Sequence, residues 1–110
     1  MARRVRRGEI WLYEFHKPDK RRPVLVLSRN EAIEVLPRVM VAPITSTVRD
    51  LPSEYRVGVR HGLKVESVAT FDAIQTVEQA SLRQFVGSLS PAELRELCSA
   101  LEVAVGCSDG

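Results

Sequence analysis

The apolar residues of this chain come in short runs, and that restricts it to short structural elements. The longest are residues 24–27 and 39–44. A membrane-spanning helix needs about 20 consecutive apolar residues, so none is expected, and runs of this length suit buried strands. Ahead of them, Glu9-Ile10-Trp11-Leu12-Tyr13-Glu14-Phe15 alternates with period two. Ile10, Leu12 and Glu14 fall on one face and Trp11, Tyr13 and Phe15 on the other, which is the pattern of an aromatic-rich strand.

The remaining segments extend that reading. His16-Lys17-Pro18-Asp19-Lys20-Arg21 is a turn or short loop by its Pro-Asp pair and its charge. A second strand is expected over 23–28, where Pro23 is tolerable at a strand start, then a short helix or loop over 30–36 and a third strand over 38–44. The three hydroxyls of Thr45-Ser46-Thr47 end that apolar pattern. A weak strand is expected over 55–59, a loop over 60–64, one or two strands over 66–76 and a last strand over 85–89. In the loop His61 reads as a surface residue.

Ser90-Pro91-Ala92-Glu93 marks a helix start. Serine accepts from a free backbone N–H, glutamate reaches back to the serine N–H, and proline fits the first helical position. Leu94, Leu97, Cys98, Leu101 and Val105 continue as an apolar stripe, and Gly106 is a natural stop. Five to seven short strands and one amphipathic helix imply a mainly β fold, a small barrel or half-barrel packed on a helix. With 110 residues the chain is one domain over 1–110, with a basic tail over 1–6 and a C-terminal tail over 107–110.

Charge is informative by its distribution. Residues 1–22 carry eight Lys/Arg against three acids, whereas the whole chain is only +2. A basic N-terminal fifth on a mildly acidic remainder makes a directional field that favours a polyanion on one face. Met1-Ala2-Arg3-Arg4-Val5-Arg6-Arg7 has the charge of a signal-peptide start, but Glu9 and Glu14 interrupt the next stretch of chain, so no apolar signal core is expected. Cys98 and Cys107 make neither a disulfide framework nor a zinc site, and the expectation is a buried helical thiol plus a tail thiol in a reducing cytoplasm. No Ser-His-Asp, Cys-His or metal-ligand spacing is present.

Four blocks in order then carry a resemblance: Arg7-Gly8-Glu9-Ile10-Trp11, Arg22-Pro23-Val24-Leu25-Val26-Leu27-Ser28, Val41-Ala42-Pro43-Ile44-Thr45-Ser46-Thr47 and Gly87-Ser88-Leu89-Ser90-Pro91. Together they resemble the MazF/PemK family of toxin endoribonucleases, collinearly from about residue 7 to residue 105. The resemblance implies an SH3-like small β-barrel of the CcdB/MazF type with a C-terminal amphipathic helix, usually a homodimer. It implies metal-independent, sequence-specific cleavage of single-stranded RNA without a cofactor, and neutralisation by a separate MazE-like antitoxin. By position it makes Arg22 and Thr45 the catalytic pair. Asp72-Ala73-Ile74-Gln75-Thr76 departs from the family pattern, because Ala73 and Gln75 stand where relatives often carry an amide and an arginine.

The residue chemistry agrees with that pair. In metal-free RNA cleavage the ribose 2′-OH attacks the adjacent phosphorus, giving a 2′,3′-cyclic phosphate and a 5′-OH end. A guanidinium suits the negative charge growing on the phosphoryl oxygens, and a threonine hydroxyl adds one donor. Arginine keeps its proton in proteins, so Arg22 is assigned to phosphate stabilisation. His16 is the candidate for proton transfer, because histidine titrates near neutrality. Lys17, Lys20 and Arg21 flank Arg22 as candidates for tracking the RNA backbone, with Ser46 and Thr47 as further donors. Trp11 reads as barrel core or subunit contact before base stacking. Rival readings are a toxin of the same fold that binds a protein target, as the related CcdB toxins do, a non-catalytic nucleic-acid-binding barrel, and a family member kept as an interaction module.

Overall fold

The structure is a computed structural model that describes residues 5–14 and 21–106. Seven strands and two helices occur in order: β1 (Glu9–Glu14), β2 (Arg21–Val26), α1 (Asn30–Val35), β3 (Arg38–Thr45), β4 (Glu54–Val57), β5 (Ser67–Thr70), β6 (Gln75–Glu78), β7 (Leu82–Ser88) and α2 (Pro91–Val105). Short 3₁₀ turns occupy Val59–His61, Phe71–Ala73 and Gln79–Ser81. The sheet runs β4-β5-β3-β2-β1-β7, with β6 also paired to β3, and every pairing is antiparallel. It curls into a half-barrel, the fold class that the strand count implies.

Alternation explains the curl. Along β1 to β3, Ile10, Leu25, Ala42 and Ile44 enter one buried cluster with Leu97 and Ala100 of α2. Their neighbours Trp11, Val24, Val26, Val39 and Val41 enter a second, with Ile33 of α1, Val77 and Leu82. The central strands are buried on both faces, so their sequences read as continuous apolar runs rather than alternating ones. Trp11 is 5% exposed. Its indole N–H donates to Glu9 Oε1 at 3.0 Å, and its ring meets Phe85 edge-on at 5.8 Å. Trp11 is therefore core. Cys98 is half-buried, and its Sγ donates to the Leu94 carbonyl. Cys107 and Phe15 lie outside the described residues.

The helix α2 has the expected cap. Ser90 Oγ accepts from Glu93 N–H at 3.2 Å, Ser90 N–H donates to Glu93 Oε1 at 2.9 Å, and Gly106 ends the helix at φ 72°.

Several boundaries differ from the sequence expectation, among them the strand expected over 55–59, which runs Glu54–Val57. The second strand starts at Arg21 and the last at Leu82, because Arg21, Arg22 and Leu82 gain ladder partners on β1. The expected 66–76 alternation breaks at Phe71–Ala73, where a 3₁₀ turn separates β5 from β6.

The β2–β3 ladder sets up the rest of the molecule. It holds Val26, Leu25 and Val24 against Val41, Ala42 and Pro43, and then stops. Leu27 N–H donates to Met40 O across it. Bonding positions alternate along an antiparallel ladder, so the next residues facing β3 are Leu25 and then Pro23. Pro23 has no N–H to give. On the other side, Pro43 stands where β3 changes partner, from β6 as far as Val41 to β5 from Ile44 onward. Beyond the two prolines β2 stays with β1 and β3 leaves with β5, so the sheet forks.

Candidate active site

A solvent-open cleft of about 600 Å³ occupies the fork. Arg21, Arg22 and Pro23 of β2 line one side, and Ile44, Thr45 and Ser46 at the end of β3 line another. Residues 62–65 and Ser67 form a third wall, and Leu12 of β1 with Gln84, Phe85 and Val86 of β7 completes it. Arg22 and Thr45, singled out in the sequence, open onto one cavity.

Their surroundings differ in a way that bears on chemistry. Arg22 is exposed, and no ion pair engages its side chain among the described residues. Arg21 is within 3.7 Å of Glu14, which Arg83 also engages at 2.9 Å, so part of its charge is answered within the protein. Thr45 is half-buried. Its Oγ1 accepts the Thr47 N–H at 3.1 Å, an ST turn that holds the hydroxyl and leaves its proton free to donate. No carboxylate is among the described residues of the lining. The cleft is a cationic, donor-rich surface.

The other candidates are distributed unevenly. Ser46 lines the cleft. Thr47 is exposed and outside the lining, and its backbone N–H serves Thr45. His16, Lys17 and Lys20 lie outside the described residues, as does Asp19. Ala73 and Gln75 are exposed, Gln75 opposite Val41 in β6. Among the described residues no group of three His, Cys, Asp or Glu could hold a metal ion, and no helix is long and apolar enough to cross a membrane.

The surface reading of His61 is corrected. The residue is 4% exposed, with Nε2 at 2.7 Å from Glu93 Oε2 and Nδ1 accepting from Gly58 N–H at 3.1 Å. Its partner lies in a helix 32 residues on, which no local pattern announces. Nor does any local pattern announce the wall at 62–65 or the cleft positions of Gln84 and Phe85. Only the sheet topology brings them to β2, although glycine close to Lys64 is a weak signal of close backbone approach.

The chain matches known proteins over nearly its whole length. A profile for the family described as PemK-like, MazF-like toxin of type II toxin-antitoxin system matches residues 6–105. The probable endoribonuclease MazF5 of Mycobacterium tuberculosis H37Rv is 43% identical over 93% of this chain and 94% of its own length. MazF2 of the same organism, also a probable endoribonuclease, is 36% identical over 94% and 100%. Among solved structures, the M. tuberculosis toxin MazF-mt6 superposes with a TM-score of 0.80 at 36% identity, covering 89% of this chain and 96% of that one. The fold recurs at 24% identity and a TM-score of 0.81 in an endoribonuclease from a mycobacterial species, solved in complex with its cognate antitoxin, over 93% and 95% of the two chains.

Proposed function

Because the chain belongs to the PemK/MazF family of toxins of type II toxin–antitoxin systems, whose similar curated members are MazF endoribonucleases, we propose that its cleft cleaves single-stranded RNA with Arg22 and Thr45 as the catalytic pair. The observation that carries this reading is the shared cleft: among the described residues, a guanidinium without an ion pair and a hydroxyl with a free proton line one cavity that contains no carboxylate. The RNA supplies its own nucleophile. Its 2′-OH attacks the adjacent phosphorus, the bond to the 5′ oxygen breaks, and the products are a 2′,3′-cyclic phosphate and a 5′-OH end.

Arg22 neutralises charge growing on the phosphoryl oxygens through two of its fixed donors, and Thr45 donates a further hydrogen bond to the same group. Each such preorganised donor contributes a few kcal/mol to lowering the barrier. The 2′-OH proton leaves to solvent or to His16, and the departing 5′ oxygen takes a proton from solvent or from the protonated His16 to become the 5′-OH. No metal or cofactor takes part in this scheme. The protein acts in the cytoplasm as a homodimer, held in check by a MazE-like antitoxin whose acidic, partly disordered segment suits the cationic cleft.

The test is direct. Purified protein in EDTA should cut single-stranded RNA and leave 5′-OH ends, while Arg22→Ala and Thr45→Ala fold normally and do not cut. RNA that is bound but left intact would favour the non-catalytic barrel, and Arg22→Ala cutting at the wild-type rate would overturn the residue assignment.

A further inference from the structure

The 58–66 segment contains only one short 3₁₀ turn, yet its polar groups are extensively satisfied. His61 N–H and Leu63 N–H donate to Gly58 O, and Gly62 N–H donates to Val59 O. Glu66 Oε2 accepts from Val59 N–H at 2.9 Å, and Ser67 Oγ donates to Val65 O. Its backbone also lies directly on β7. A Cβ on Gly62 would fall 2.4 Å from Val86 O, and one on Gly87 would fall 2.0 Å from His61 O. Only glycine permits that approach.

His61 ties this loop to the rest of the molecule. Because Nδ1 accepts from Gly58 N–H, the neutral ring carries its proton on Nε2 and donates it to Glu93. Glu93 is the same carboxylate that caps α2. One imidazole thus spans the loop and the first turn of the helix.

The loop delivers Lys64 to the cleft that Arg22 and Thr45 share. Lys64 is exposed and has no ion-pair partner among the described residues, and the nearby Glu66 is engaged by a backbone N–H. An ammonium on a preorganised wall that lines the same cavity as the Arg22 guanidinium, neither of them ion-paired among the described residues, is a second anchor for a polyanion. We propose that Lys64 binds an RNA phosphate flanking the scissile one and that His61, clamped between Gly58 and Glu93, is the positioning residue that holds Lys64 there. The proposal rests on the RNA-cleaving reading of the same cleft.

Two measurements test it, once cut sites have been mapped on a mixed RNA pool. The first is steady-state cleavage of an oligoribonucleotide carrying one site. The second is binding of its fully 2′-O-methylated form, which lacks the nucleophile, across a salt series. Lys64→Gln should raise KM about tenfold with kcat altered less than about threefold, and should lower the slope of log K against log salt by about 0.7, the loss of one single-strand phosphate contact. His61→Ala should reproduce the KM effect and add little to it in the double variant. His61→Gln, whose amide nitrogen can donate to Glu93 in place of Nε2, should recover part of it. Wild-type KM and slope in Lys64→Gln would overturn the proposal, as would a His61→Ala variant impaired in kcat alone. Should His61→Ala fail to fold, Lys64→Gln at its exposed position still decides the matter. A wild-type protein that cuts no RNA would refute the nuclease reading instead, and the salt slope measured with a mixed-sequence 2′-O-methylated oligonucleotide would then judge Lys64 by itself.

Discussion

Arg22 and Thr45 stand at positions that the β2–β3 register would set opposite one another, two residues past the last ladder pair of Val24 and Pro43. The strands part before reaching them, Arg22 staying opposite Tyr13 of β1 and Thr45 opposite Val68 of β5. Side chains that would have been cross-strand neighbours therefore border an open cleft. On the proposed reading, one phosphate is held between them.

Removing either group should abolish cleavage without unfolding the protein. Loss of one preorganised donor typically lowers kcat by about 10²–10³-fold. Arg22→Ala and Thr45→Val should each do so, with thermal midpoints within a few degrees of wild type because both side chains sit at the cleft rather than in the core. Arg22→Lys should recover little, since an ammonium lacks the planar fork. Cleavage kinetics beside a thermal melt check both statements.

The fork itself can be tested at Pro23. Pro23→Val restores an N–H facing β3 and adds a β-branched residue. The β2–β3 ladder should lengthen toward Arg22 and narrow the cleft. Activity should fall about tenfold or more while stability is unchanged or slightly raised. Amide hydrogen exchange at position 23 would show the new protection.

Trp11 separates packing from stacking. Trp11→Phe keeps most of the ring in the buried cluster but removes the donor to Glu9, a 5% exposed carboxylate that also accepts from Arg6 N–H at 2.8 Å. Loss of a buried partner costs about 1–3 kcal/mol. Denaturant unfolding should show that loss, whereas RNA affinity measured under folded conditions should be unchanged.

The α2 cap makes stability depend on pH. Glu93 is lowered to about 2, first by the Ser90 backbone N–H, with His61 and Arg60 adding to it against the opposing effect of burial. A carboxyl depressed on folding contributes stability that is full above its unfolded value of 4.5 and disappears as pH falls toward about 2. Glu93→Ala should therefore be less stable than wild type at pH 7, with the difference shrinking across that acid window. Ser90→Ala should cost about 1 kcal/mol. Urea unfolding at stepped pH reads both.

Much of this architecture was legible because it is local. Period-two alternation exposed β1, the apolar runs exposed the cores of β2 and β3, and the Ser90–Glu93 cap with its stripe exposed α2. Strand ends carrying Arg21, Arg22 and Arg83 were not legible, since their extension depends on ladder partners supplied by β1. In the site, Arg22 and Thr45 were reachable through the ordered blocks that carry the family resemblance. The role of His61 was not. Its burial depends on Glu93 and on glycines that let two backbones touch, and these are tertiary facts. For the same reason nothing local singles out Lys64 in the expected 60–64 loop.

Glu93 closes the first turn of α2 with one carboxylate oxygen and meets His61 with the other. Fraying of that turn and loosening of the 58–66 wall are therefore linked events rather than separate ones. Any influence that unwinds the start of this helix, including a partner that grips it, would weaken the cleft from behind without entering it.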